Sequence, residues 1–199
     1  YIHSEKGEGD TWHTEIETDI CGKSADIAMV FQVLSPDYNV IATFKQQAKF
    51  GGDTETFSNS FDITAPVVWD IDTPEVYMLA VELYKNDELI EVQYVPYGYR
   101  TTEFSPEKGF LLNGRQLKMH GVCMHHDLGA LGAAVNDTAL YRQMKIMKEM
   151  GCNAIRTSHN MPARQLVEIC DDLGLMVVCE SFDMWENAKT EFDNHRFFV

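Results

Sequence analysis

The sequence predicts a multi-domain chain in which an all-β sandwich precedes a parallel α/β sheet. Two observations indicate this division. Short runs of β-branched and aromatic residues, separated by turn residues, fill residues 1–100. Strand and helix patterns then alternate over residues 117–179, which is typical of a parallel sheet with right-handed crossovers. We therefore predict one domain over residues 1–100 and a second over residues 101–199.

The first domain is predicted to consist of short strands and no helix. Turn-forming residues divide the apolar runs, as at Ser35-Pro36-Asp37, Gly51-Gly52-Asp53 and Asn86-Asp87. The predicted strands are Trp12–Ile20, Ile27–Leu34, Asn39–Lys45, Thr54–Ile63, Val76–Lys85 and Leu89–Tyr94. Strands of this length and spacing favour a sandwich.

The second domain is predicted to alternate strands with helices. Its strands are expected at Leu117–Val122, Ala154–Ile155 and Leu175–Cys179, the last being a continuous apolar run that predicts burial on both faces. Between them, Asp137–Met150 has apolar residues at helical spacing and ends at Gly151. A second helix opens at Pro162 and ends at Gly174.

Polar side chains follow each predicted strand of the second domain. They are His125 and Asp127 after the first strand, Arg156 and His159 after the second, and Glu180, Asp183 and Trp185 after the third. Parallel α/β folds place their chemistry at the carboxyl ends of strands, so these residues are the candidate site.

Composition limits the partners of the chain. A net charge of -15 argues against nucleic acid, because phosphates would be repelled. No apolar run is long enough to span a membrane, and the cellular location is left open. The five cysteines have no regular spacing, and we interpret them as reduced, buried, small apolar residues.

A series of motifs along residues 97–185 resembles the family-2 glycoside hydrolases, the group that contains β-galactosidases, β-glucuronidases and β-mannosidases. The motifs are Tyr97-Gly98-Tyr99-Arg100, Phe110-Leu111-Leu112-Asn113-Gly114-Arg115, Gly121-Val122 with His125, and Asn153-Ala154-Ile155-Arg156-Thr157-Ser158-His159 with Pro162, Asp171 and Gly174. Two positions differ from the family pattern. Asn160 stands where the family often has Tyr, and Cys123-Met124 stands where it often has Asn-Arg. The sugar subgroup is therefore left open.

The resemblance implies an immunoglobulin-like β-sandwich over residues 1–100, followed by the first part of a (β/α)8 TIM barrel. A complete barrel takes about 250 residues, so residues 101–199 are expected to hold about three of its strands. In the family, the acid/base follows the fourth strand and the nucleophile lies near the end of the seventh. Retaining glycosidases need both carboxylates, roughly 5 Å apart. We therefore expect part of a retaining, β-galactosidase-like enzyme for terminal β-glycosides, and no activity from these 199 residues alone.

The resemblance also implies roles for the candidate residues. Arg156 is expected to orient the nucleophilic carboxylate, His125 to bind a sugar hydroxyl, and His159 to donate a hydrogen bond to the sugar or to the transition state. Glu180 is expected to support or bind rather than to act as the acid, while Trp185 either stacks on a sugar face or lies beneath its loop. Asp127 and Asp183 complete the predicted set of binding or supporting residues. We predict no metal and no cofactor, since the adjacent residues of the run 125–127 rarely converge on one ion.

Two other hypotheses stay open at this point. The chain could be a non-catalytic sugar-binding or scaffold module, or an unrelated α/β enzyme that uses Ser158 and His159. An incomplete barrel would also expose an unpaired sheet edge, so we expect self-association through that edge.

Overall fold

The computed structural model describes residues 1–184, 190 and 191, and the chain divides into two compact units. The first unit comprises Tyr1–Asp70 and Glu75–Gln116. The second comprises Ile71–Pro74 and the described residues from Leu117 onward. Trp185 lies outside the described residues.

The first unit is made of antiparallel strands. They are β1 (Ile2–Lys6), β2 (Thr11–Gly22), β3 (Ala25–Leu34), β4 (Val40–Phe50), β5 (Asp53–Thr64), β6 (Tyr77–Lys85), β7 (Glu88–Tyr97), β8 (Thr102–Ser105), β9 (Gly109–Leu112) and β10 (Arg115–Gln116). Two larger sheets have the orders β1-β2-β5 and β4-β3-β6-β7, and a small one has the order β10-β9-β8. Each predicted strand overlaps an observed one, whereas β1 and β8 to β10 were not predicted.

The core of this unit lies between the inner faces of the two larger sheets. Along β3, Ile27, Met29, Phe31 and Val33 are buried at every second position. They contact buried residues of the other sheet, among them Ile16 of β2. Alternating burial on two facing sheets defines a β-sandwich, so the predicted fold of the first domain is confirmed.

The small sheet belongs to the first unit because the side chain of Asn113 hydrogen-bonds to backbone groups of that unit. The Asn113 amide donates to the Trp69 carbonyl at 3.0 Å, and its Oδ1 accepts from the Thr101 backbone at 3.0 Å. Asn113 and Gly114 both have positive φ, which is the two-residue turn that joins β9 to β10. The compact unit therefore continues to Gln116. The domain division at residues 100 and 101 stays a prediction.

The second unit contains a parallel sheet with the order β11-β12-β13. Its elements are β11 (Gly121–Met124), α1 (Asp137–Glu149), β12 (Ala154–Thr157), α2 (Arg164–Leu173) and β13 (Met176–Val178), with a short 3₁₀ helix at Gly129–Leu131. Met144 of α1, Cys170 of α2, Ile155 of β12 and Leu175 form its buried core. These β–α units confirm the prediction of a partial barrel with three strands.

The strand β11 begins later than predicted because the side chain of Asn153 hydrogen-bonds to the backbone that precedes it. Asn153 Oδ1 accepts from the His120 amide at 2.7 Å, and its Nδ2 donates to the Lys118 carbonyl at 3.0 Å. The ladder with β12 therefore starts at Gly121. Helix α2 also starts later, at Arg164, after the extended N-cap residue Ala163.

Two burial predictions were wrong. Met176 of β13 is buried, but Val178 is 44% exposed, because no further strand pairs with β13 among the described residues. All five cysteines are free thiols, as predicted, yet Cys21, Cys123 and Cys179 are exposed. Cys21 lies on the outer face of β2, where its sulfur contacts the Thr54 hydroxyl.

None of the helices in the described part of the chain has the length and apolar character needed to cross a bilayer.

Candidate functional site

The carboxyl ends of β12 and β13 bring three charged or titratable side chains together. Arg156 lies in register with Cys123 of β11 and with Val178 of β13. Side chains at one register of neighbouring strands project from the same face, and Glu180 follows Val178 by two residues. Arg156, Glu180 and His159 form a cluster, which we call the strand-end cluster.

Glu180 is the centre of this cluster. One of its carboxylate oxygens, Oε1, forms an ion pair with Nη2 of Arg156, and the other, Oε2, lies 2.8 Å from Nδ1 of His159. Its backbone amide donates to the hydroxyl of the buried Thr157 at 3.0 Å. The Glu180 side chain is only 19% exposed. A carboxylate with both oxygens engaged orients its partners, which agrees with the supporting role predicted for Glu180; that role itself stays a prediction.

A second histidine, His125, lies beside the strand-end cluster, after the end of β11. The His125 and His159 rings meet edge to face, with centroids 5.5 Å apart and an interplanar angle of 82°. Asp183 lies farther out, with its Oδ1 3.9 Å from His159 Nδ1. The predicted residues His125, Arg156, His159, Glu180 and Asp183 are thus neighbours in the structure.

Asp127 stands apart from this group. Its Oδ1 accepts from the Gly129 amide at 2.7 Å and its carbonyl accepts from Gln143 at 3.2 Å, so it shapes the loop after β11. It lines a cleft of about 470 Å³, open space included, together with His125 and His126. Of the predicted residues that the structure describes, His125 alone contacts both this cleft and the strand-end cluster.

Cys123 is a member of the site that the sequence did not single out for a role. Its exposed sulfur accepts a hydrogen bond from Arg156 Nη1 at 3.3 Å. The Ser158 hydroxyl, and after it Arg156, hold the pKa of the Cys123 thiol below its usual value, and the charge of Glu180 opposes them. The same contact with Cys123, reinforced by Glu180, raises the pKa of Arg156. The departure from the family pattern at Cys123 is the sequence signal that could have indicated this residue.

Ser158 has no arrangement for nucleophilic catalysis. Its Oγ is buried and has no hydrogen-bond partner of regular geometry among the described residues. The Nδ1 atom of the following His159 is directed at Glu180. A serine nucleophile requires a base within hydrogen-bond reach, so the geometry gives no support to a Ser158–His159 enzyme. Within residues 1–184, 190 and 191, no group of three or more His, Cys, Asp or Glu residues is arranged to hold a metal ion.

Two family models match the chain. Residues 3–100 match the model described as glycosyl hydrolases family 2, and residues 106–195 match the model of the TIM barrel domain of glycosyl hydrolases family 2. The chain therefore belongs to family 2 of the glycosyl hydrolases.

Individual relatives agree with the family. The β-galactosidase BoGH2A of Bacteroides ovatus is 49% identical over 147 residues, which are 74% of this chain and 17% of that protein. The structure of a family-2 glycosyl hydrolase from Bacteroides cellulosilyticus has a TM-score of 0.90 at 29% identity and covers 100% of this chain and 26% of its own. The structure of Bacteroides uniformis β-glucuronidase 2, covalently bound to cyclophellitol-6-carboxylate aziridine, has a TM-score of 0.83 at 27% identity, covering 93% and 22%. The chain spans 17% of the length of the curated relatives it first matches.

Proposed function

We propose that this chain supplies the sandwich and the first barrel strands of a longer retaining glycosidase that acts on terminal β-glycosides. The observation that carries the proposal is the strand-end cluster, in which Glu180 holds Arg156 and His159 at the carboxyl ends of two strands of a family-2 barrel. In this account the cluster binds substrate and orients catalytic groups. The carboxylates that break the glycosidic bond come from other parts of the longer protein.

Arg156 has donors left for a second carboxylate. A guanidinium carries five N–H donors, and the described contacts of Arg156 are to Glu180 and to Cys123. Its side chain is still 43% exposed. Because a guanidinium presents its donors in a rigid plane, Glu180 fixes the direction in which the remaining donors point. This supports the proposal that Arg156 orients the nucleophilic carboxylate.

The hydrogen bond between His159 and Glu180 determines whether Nε2 of His159 is a donor or an acceptor towards a sugar hydroxyl. When Nδ1 donates its proton to Glu180, Nε2 of the neutral ring is an acceptor. The neutral ring therefore accepts a hydrogen bond from a sugar hydroxyl. With Nδ1 facing the carboxylate, the ring donates from Nε2 only as the imidazolium. The proposed donor role of His159 thus requires a protonated ring.

The retaining mechanism and the preferred sugar rest on the relatives. A covalent adduct of a related β-glucuronidase is what a nucleophilic carboxylate would form, which supports retention here. The 49% identity with a β-galactosidase makes a β-galactoside the first candidate substrate. β-Glucuronides and β-mannosides remain the alternatives.

The proposal is tested on the full-length protein that carries this chain. We expect it to release nitrophenol fastest from the nitrophenyl β-galactoside when the β-galactoside, β-glucuronide and β-mannoside are compared at equal concentration. Proton NMR should detect the β-anomer of the sugar as the first product. An α-anomer as first product would contradict retention. Sugar binding without turnover of any glycoside would favour the non-catalytic module.

We also expect the 199-residue chain to self-associate. Val178 is exposed on β13, which has an unpaired edge among the described residues. Sedimentation velocity should detect dimers or larger species, and a hydrophobic dye should bind. Val178→Lys should reduce both signals, while Val67→Lys in the first unit, at a site that is also exposed, should not. A monomer that binds no dye would contradict this expectation.

A further inference from the structure

The thiols of the second unit differ sharply in their surroundings. Burial raises the pKa of Cys170 to about 12, so its thiolate is not populated near neutral pH. Cys123 is exposed and its sulfur lies 3.3 Å from Nη1 of Arg156. A cation at this distance stabilises a thiolate, which is the reactive form of cysteine. Cys123 therefore combines access with a charged partner.

The hydroxyl of Ser158 is a second, independent observation at the same place. Ser158 is only 5% exposed, and its Oγ has no hydrogen-bond partner of regular geometry among the described residues. It nevertheless lies close enough to the Cys123 sulfur to be the largest cause of the lowered pKa of that thiol. Buried polar groups are almost always satisfied, so the Ser158 hydroxyl calls for an acceptor close to this sulfur. An oxygen atom attached to that sulfur would be one.

We propose that Cys123 is a modification site at which hydroperoxides convert the thiolate to a sulfenate held by Ser158 and Arg156. The sulfur lone pair attacks the hydroxyl oxygen of the peroxide, an S–O bond forms, the O–O bond breaks, and the departing hydroxide or alkoxide takes the proton of the new sulfenic acid and leaves as water or alcohol. Sulfur loses two electrons and the peroxide gains them. The new oxygen accepts hydrogen bonds from the Ser158 hydroxyl and the Arg156 guanidinium. The negative charge of Glu180 disfavours the Cys123 thiolate, and the ion pair of Glu180 with Arg156 limits how strongly Arg156 stabilises that thiolate. The inference does not depend on glycosidase activity.

The test compares cysteines within the intact 199-residue chain. The protein is treated with hydrogen peroxide at pH 7, sulfenate is trapped with dimedone, and labelled peptides are quantified by mass spectrometry. Cys21 and Cys179 are exposed internal references. We expect Cys123 to be labelled about tenfold faster than either, because the Arg156 cation stabilises its thiolate. Labelling of all three at the same rate would overturn the proposal.

A second measurement needs no variant. The rate of iodoacetamide alkylation of Cys123, followed from pH 5 to 9, should reach half of its maximum at lower pH than that of Cys21 in the same sample. Coincident profiles would count against a stabilised thiolate.

Variants then separate the two partners. Arg156→Gln and Ser158→Ala should each slow labelling of Cys123 towards the rate of Cys21. Arg164→Gln removes the same group from the surface of α2, where it pairs with Glu168, and should leave the rate unchanged. A folded Arg156→Gln and a folded Ser158→Ala that both keep the fast rate would overturn the proposed role of this pair.

Discussion

Gly174→Ala is expected to unfold the second unit at temperatures where the unsubstituted chain is folded. Gly174 has φ of +70°, the left-handed conformation that ends α2, and an added Cβ would overlap the carbonyl group of Ile71. The same atom would lie 3.1 Å from Lys148 Nζ, which donates to the Ile71 and Gly174 carbonyls. The overlapping atoms belong to the backbone, which cannot move without disturbing its neighbours. We therefore expect a loss of about 3 to 5 kcal/mol in the free energy of unfolding.

Gly151→Ala is the matched control for that loss. Gly151 also has positive φ, at +92°, but an added Cβ there has no heavy atom within 4 Å. Its substitution should lower the free energy of unfolding only by the cost of placing alanine in the left-handed conformation, about 1 kcal/mol. Urea titration followed by circular dichroism measures both variants. Equal losses in the two would show that the contact with Ile71 is unimportant.

Arg156→Gln is expected to reduce kcat/KM of the full-length protein about a hundredfold or more, because displacing a catalytic carboxylate by about 1 Å costs that much. The substitution removes the ion pair with Glu180 and leaves that carboxylate, only 19% exposed, without its cationic partner. It also removes the planar donors proposed to orient the nucleophile. Arg156→Lys keeps the charge but not the plane, and should restore little activity.

The control for this prediction is Arg164→Gln. Arg164 pairs with Glu168 one turn along α2, with a distance of 2.6 Å and a side chain that is exposed. Such surface pairs contribute about 0.5 kcal/mol, so this variant should retain its activity. Initial rates on the preferred nitrophenyl glycoside measure both variants. If Arg156→Gln kept a rate within a factor of about two of that of the unsubstituted protein, Arg156 would not have the proposed role in orienting the nucleophile. A tenfold loss of rate would correspond to about 1.4 kcal/mol in the activation free energy.

Features carried by local sequence were predictable. Gly174 ended α2 as expected, because a helix that stops in the left-handed conformation favours glycine. The runs of β-branched and aromatic residues, divided by turn residues, placed β2 to β7 to within about five residues. The Asn113-Gly114 pair is a strong hairpin signal, and applying it would have revealed β9 and β10.

Features that depend on distant contacts were not predictable. The start of β11 depends on Asn153, whose side chain binds backbone groups more than thirty residues earlier in the chain. The exposure of Cys123 depends on which face of β11 it occupies. Polar residues at strand ends indicated that Arg156, His159 and Glu180 would be neighbours. The sequence could not indicate that Glu180 binds the other two at once, because that requires the geometry of two strand ends.

We propose that these 199 residues bind and orient the substrate but do not break its glycosidic bond. The most direct measurement is nitrophenol release by the purified 199-residue chain, compared with the full-length protein at equal molar concentration. We predict turnover by the full-length protein and none above buffer by the chain alone. Turnover that co-elutes with the chain in two chromatographic steps, and is lost in Glu180→Gln, would contradict the account by placing a catalytic carboxylate within it.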